Sequence, residues 1–329
     1  MTATARVVVP THQRRERILR LAADLLEQSV ERERLRIVIV CDGCRDGTAD
    51  ALRARFGESI RVLEQPGSGP AVARNRGSAG ADEEILVFLD DDMRVGPDLV
   101  AAHLEAHARR PGSLVLGAMP VHPDSPASFL TEGLARWAAR RDASLSAPGT
   151  VPGFEEVLTG NLSVSRETFE RLGGFDRRFT DEGAFGDEDL EFGWRAVRAG
   201  VPIVFEPRAV AAQIFDKGFR AVAADIRRGG VADVRFAAKH PDARDHLALG
   251  REGSLPPWER RAARLGRTRP GLGRVLAAPA VALLDRLARS GARGERLEHL
   301  HAVVRALVYG IGVAEGLSAE TATRGPKDR

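Results

Sequence analysis

At 329 residues, with 43% hydrophobic and 29% charged side chains, the chain has apolar material for a full core, which excludes wholesale disorder. Its two cysteines, Cys41 and Cys44, cannot make a disulfide framework and point to a reducing compartment. The net charge of +3 is uneven: residues 251–329 hold 15 Lys+Arg against 8 Asp+Glu, and residues 1–250 hold 34 against 38.

The N-terminal residues lack the long apolar core of a signal peptide and enter a buried strand at Val7-Val8-Val9, closed by Pro10-Thr11. Ile18, Leu21, Ala22, Leu25 and Leu26 then recur at helical spacing. A second strand, residues 36–40, ends at Cys41-Asp42-Gly43, and a helix over Thr48 to Phe56 follows. A third strand spans residues 60–63, and Gly69-Pro70 opens a helix carrying Arg74 and Asn75. The fourth strand, residues 85–89, stops at Asp90-Asp91-Asp92. Strands alternating with helices predict an α/β fold with a mostly parallel sheet flanked by helices, whose ligands gather beyond the strands' carboxyl ends. Thr11, Asp42 and Asp90–Asp92 all fall at such ends.

Residues 112–241 are irregular and rich in Gly and Pro, and from Ser254 the pattern turns helical, with a turn at Ser290-Gly291-Ala292-Arg293-Gly294. The longest uncharged apolar run there, Val275 to Leu284, is too short to span a bilayer. A cytoplasmic chain is expected. The basic tail has few aromatics between its arginines, which argues against nucleic acid. Its helices, residues 255–317, either pack on the remaining chain or lie on an anionic membrane at its inner face. Packing is favoured because the apolar positions are few, and homodimerisation through the same helices is a further option.

Several short segments can carry chemistry. Adjacent carboxylates at Asp90–Asp92 repel one another and need solvent or a cation; alternation lets Asp90 and Asp92 approach one hard ion, Mg2+ or Mn2+. A solvated acidic turn is the bland alternative. Asp42 with Gly43 reads equally as a turn. Cys41-x-x-Cys44 has redox spacing but opens no helix, because Gly43, Asp46 and Gly47 prolong the turn. Arg74 lies among Ala71, Ala73, Gly77 and Ser78, small residues that let its helix approach the sheet. The acidic run Asp187-Glu188-Asp189-Leu190-Glu191 suits the first turn of a helix, and could also supply a general base.

Taken in order, these segments resemble the family 2 glycosyltransferases of the GT-A fold. The matching stretches are Pro10-Thr11-His12-Gln13-Arg14, Val40-Cys41-Asp42-Gly43, Ala73-Arg74-Asn75-Arg76-Gly77, Asp90–Asp92, Thr159-Gly160-Asn161-Leu162-Ser163 with Gly173-Gly174-Phe175-Asp176, and Glu188-Asp189-Leu190-Glu191-Phe192-Gly193-Trp194-Arg195. The resemblance covers residues 5–215. It implies a nucleotide-sugar-binding half at 1–111, an acceptor-binding half at 112–250 and a basic helical extension at 251–329.

It further implies an inverting transfer from a UDP- or other nucleoside-diphosphate sugar to a glycan, lipid-linked or small-molecule acceptor. Thr11 and Asp42 would hold the nucleoside, and Arg74 the base or diphosphate. Asp90 would meet ribose or metal, and Pro10, Arg14 and Asp91 would complete the donor set. Asp92 would ligate the divalent cation, Asp189 would be the base with Glu188 as its fallback, and Gly160, Asn161 and Trp194 would face the acceptor. Two positions depart from the family pattern: Cys41 replaces an acid, and Gln213 stands where many relatives place a metal-binding histidine. A nucleotidyltransferase would show a glycine-rich loop after the first strand, and a non-catalytic sugar-nucleotide module would not need Asp189.

Overall fold

The computed structural model describes residues 3–180 and 186–323. Strands β1 (Ala5–Thr11), β2 (Leu35–Asp42), β3 (Arg61–Gln65) and β4 (Ile85–Leu89) run parallel in the order β3-β2-β1-β4. Helices α1 (Arg15–Leu26), α2 (Thr48–Phe56) and α3 (Pro70–Ser78) make the crossovers. The strands read as near-continuous Val, Ile and Leu because both sheet faces are covered. Val7 and Val9 join Leu21, Leu25, Ile37 and Ile39 in one core, while Val8 faces the other way with Leu86 and Phe88.

Beyond β4 the sheet turns mixed. Asp90–Asp92 make a tight turn into β5 (Met93–Val95). Helix α4 (Leu99–Arg109), β6 (Leu114–Ala118), α5 (Phe129–Leu145), β7 (Asn161–Ser165), α6 (Arg166–Arg171), α7 (Glu188–Arg198) and β8 (Ile203–Gln213) follow. β7 runs antiparallel to β4 and β6, and β5 antiparallel to β8, completing the order β3-β2-β1-β4-β7-β6-β8-β5. Two pairings matter for the site. Leu89 opposite Asn161 brings Gly160 to the acidic turn, and Met93 opposite Gln213 brings Gln213 beside Asp92.

Small residues bring α3 close to the sheet, as expected. A side chain at Gly77 would run into Val8 and lie 3.2 Å from Val40 Cγ2. Gly77→Ala is therefore expected to destabilise by about 1–3 kcal/mol through overpacking, read as a lower melting temperature. An unchanged melting curve would mean that α3 can lift away without cost.

All these strands lie in one compact unit, which holds the chain up to Ser125 and again Leu134 onward through Phe215 apart from a short excursion. The second unit takes Pro126–Gly133 and the chain from Asp216, so helical architecture begins well before residue 251. The reason is α8 (Phe219–Lys239), which packs on α11 (Glu295–Thr323) together with α9 (Pro257–Thr268) and α10 (Pro270–Arg289). Gly230 and Gly312 let α8 and α11 meet backbone to backbone. By length and composition α11 could cross a membrane over Glu295–Ala322, but 56% of its most apolar window is buried within the protein. The expected turn at 290–294 separates α10 from α11, and residues 324–329 of the polar tail lie outside the described residues.

Candidate active site

The acidic turn after β4 is held by neighbouring donors. Asp91 is buried, accepting the Thr11 hydroxyl on Oδ2 (2.7 Å) and Arg14 Nη1 on Oδ1 (2.6 Å). Asp92 Oδ2 accepts Gln213 Nε2 at 3.3 Å and lies 3.8 Å from Arg14. Its Oδ1 is buried and accepts no hydrogen bond. Asp90, with its side chain 39% exposed, accepts Arg74 Nη2 at 2.7 Å. Burial, with Asp90 and Asp91 alongside, pushes the Asp92 carboxyl up to about 6.

Arg74 is only 3% exposed and bridges two regions far apart in sequence. Nη2 holds Asp90, and Nη1 holds the buried Glu188 at 2.8 Å. The guanidinium forms a clamp between the acidic turn and the start of α7. Glu188 is thereby engaged, while its neighbour Asp189 accepts the Leu190 amide on Oδ1 at 2.8 Å. Although Asp189 keeps some solvent contact, burial and the Glu188 charge raise it to about 7, against the opposing pull of Leu190 and Arg74. The acidic first turn expected here is α7's own N-terminus.

Asp42 is likewise occupied. Its Oδ1 accepts Gln65 Nε2 and the Ser68 amide, both at 2.8 Å, and Oδ2 accepts the Gly69 amide at 2.8 Å. The carboxylate thus shapes the loop between β3 and α3, while His12 Nδ1 donates to the Asp42 carbonyl. Gln65 escaped the sequence reading although its signal was available: a polar side chain ending β3, opposite Asp42. Thr11 is buried with its hydroxyl directed to Asp91, whereas Pro10 and Arg14 stay partly open at the strand ends. Cys41 and Cys44 are free thiols, and burial pushes Cys41 up to about 12, where it is inert.

The proposed acceptor residues separate. Gly160 lies against the acidic turn, since a side chain there would sit 3.3 Å from Asp90 Oδ2. Asn161 is 1% exposed and fully engaged, its Nδ2 donating to the Ala118 and Ala209 carbonyls and its Oδ1 accepting His103 Nε2. An acceptor contact through that side chain would break this brace. Behind it His107 donates to Ser163, whose hydroxyl donates to His103 Nδ1, each at 2.8 Å. Burial lowers His103 to about 4 and His107 to about 3, so the chain of bonds is neutral. Trp194 is buried edge-on to Phe154.

A sequence profile described as glycosyl transferase family 2 matches residues 6–147, the span holding Thr11, Asp42, Arg74 and Asp90–Asp92. That stretch of the chain belongs to the family. A second profile, described as the N-terminal domain of galactosyltransferase, matches residues 140–214. A validoxylamine A glucosyltransferase from Streptomyces hygroscopicus subsp. jinggangensis is 32% identical over 223 residues, 60% of this chain and 52% of that protein. A pre-mycofactocin glycosyltransferase from Mycobacterium tuberculosis is 29% identical over 264 residues, covering 77% and 51%. The chain thus spans about half the length of these relatives. A mannosyltransferase from Pyrobaculum calidifontis, solved with GDP-Man and Mn2+, superposes with a TM-score of 0.57 at 21% identity, covering 93% of this chain and 86% of that one. Residues 1–349 of S. aureus TarS with UDP give 0.53 at 14%, covering 96% and 92%. The fold of the chain is GT-A.

The unpartnered Asp92 Oδ1 and the open Asp90 fit a hard cation. Among the described residues no three His, Cys, Asp or Glu side chains assemble a complete metal site. Gln213 meets Asp92 through its amide nitrogen, a donor, so it steadies the carboxylate rather than adding an oxygen ligand. An ion held there would complete its shell with water and phosphate oxygens, the habit of Mg2+ and Mn2+.

Proposed function

We propose that the chain moves a sugar from a nucleoside-diphosphate sugar to an acceptor hydroxyl by a single inverting displacement. The observation that carries this reading is the Arg74 clamp, which joins Asp90 to Glu188 and leaves Asp189 available as a base. The acceptor oxygen attacks the anomeric carbon and its proton passes to the Asp189 carboxylate. The bond from that carbon to the diphosphate oxygen breaks, and its electron pair leaves with the nucleoside diphosphate. One displacement inverts the centre. Asp92 with Asp90 would hold Mg2+ or Mn2+, which when bound offsets charge on the leaving diphosphate. The Pyrobaculum mannosyltransferase, solved in complex with GDP-Man and Mn2+, supports a divalent cation by analogy. With GDP-Man in one structural neighbour and UDP in another, the donor base stays a class, as does the glycan, lipid-linked or small-molecule acceptor.

Release of nucleoside diphosphate from a panel of nucleotide sugars, with an acceptor panel, tests the reading; no release from any donor would defeat it. Chelation should abolish turnover, and added Mg2+ or Mn2+ should restore it. Gln213→Ala, which removes the partner of Asp92, should weaken cation affinity roughly 10–100-fold in a direct metal titration. Full turnover in chelator would remove the cation from the mechanism.

A further inference from the structure

Helix α10 leaves one apolar face uncovered by the helical unit to which it belongs. Leu272, Val275, Leu276 and Leu283 are exposed, Val275 at 69%, and Pro279 is exposed with them. At about 100° per residue these positions share roughly one third of the helix circumference. Gly273, Ala277, Leu284 and Ala288, the buried residues, occupy the other side. Single exposed leucines are ordinary on a protein surface, but large apolar side chains collected on one face mark a contact surface.

The charges around this face choose its partner. Arg269 precedes the stripe, Arg286 and Arg289 close it, and all are exposed. The sole acid of α10, Asp285, is buried and pairs with Arg220 and Arg289. Arg289 is thus balanced, α10 has no other acid to offset Arg269 and Arg286, and residues 251–329 as a whole hold 15 basic against 8 acidic side chains. A second copy docked helix to helix would set arginine against arginine, in parallel or antiparallel pairing. An anionic lipid surface meets both the apolar stripe and its basic ends.

We propose that α10 docks on an anionic bilayer, with Leu272, Val275, Leu276 and Leu283 entering the boundary between headgroups and acyl chains. Arg269 and Arg286 then lie at the level of the lipid phosphates. Nothing in this depends on the sugar-transfer reading.

Co-sedimentation of the full chain with vesicles tests it, comparing pure phosphatidylcholine with phosphatidylcholine containing phosphatidylglycerol. Binding is expected on the anionic vesicles, weakening as salt is added. Arg286→Gln should lower the affinity about five-fold, and Leu276→Glu, a change at an exposed position, by more. Both variants should keep the wild-type melting temperature. Equal binding to both vesicle types, no binding to either, or folded variants that bind like wild type would overturn the proposal. So would a dimer that Leu276→Glu dissolves in a chain that ignores vesicles, which would give the face to a second copy.

Discussion

Asp189→Asn is expected to transfer sugar roughly 10²–10⁴ times more slowly than the wild type while binding donor and cation normally. A sugar hydroxyl is a weak nucleophile at neutral pH, and asparagine keeps the shape of aspartate without its proton-accepting capacity. Glu188 cannot readily take over, because it is buried against Arg74. Burial and the Glu188 charge raise Asp189 to about 7, near the working pH, where a general base is most effective. The acid limb of kcat/KM should therefore fall as pH drops below about 7, where Asp189 holds a proton and cannot accept another.

The same shift has a stability consequence of definite sign. Between the ordinary 3.8 and the folded value of about 7, the folded chain holds a proton that the unfolded chain has lost. Wild-type stability accordingly declines as pH rises through that window, and Asp189→Asn removes this contribution. The variant should melt no lower than wild type above the window although it is nearly inactive. Single-turnover transfer, calorimetric donor affinity and melting against pH form the test. Wild-type transfer rates would refute the base assignment, and lost donor affinity would move Asp189 to the donor side.

The parallel half of the fold was legible because its strands are buried on both faces, so that Val7–Val9 and Ile37–Val40 stand out as unbroken apolar runs. The acidic turn was legible for a related reason, since Asp90–Asp92 interrupt a buried strand without transition. Illegible were the hydrogen bonds that occupy those acids. Asp42 and Asp91 are polar residues at strand ends, but their roles depend on Gln65, Ser68, Thr11 and Arg14 arriving from other elements. Gln213 reaches Asp92 only through the register of β5 on β8. Mixed strand direction also escaped, since β7 and β8 come from a Gly- and Pro-rich stretch without clean alternation.

Arg74 is where the two halves of the candidate site are coupled, and its removal should cost stability and activity together. Arg74→Met leaves the buried Glu188 and the half-open Asp90 without their shared cation. Breaking a buried ion pair from one side costs about 3–5 kcal/mol. At roughly 2–4 °C per kcal/mol, the melting temperature should drop by about 6–20 °C. Arg74→Lys should recover little, because a compact ammonium cannot span two carboxylates as a planar fork does. Arg74→Met combined with Glu188→Gln removes the buried charge along with its partner, so much of the stability should return. Activity should stay low in the double variant, because Asp90 still lacks the contact that orients it. Melting curves and calorimetric donor titrations on these variants separate a clamp from a donor ligand. If Arg74→Met melts like wild type but loses donor affinity, the guanidinium contacts the diphosphate during binding, and the clamp seen without donor is only its resting place.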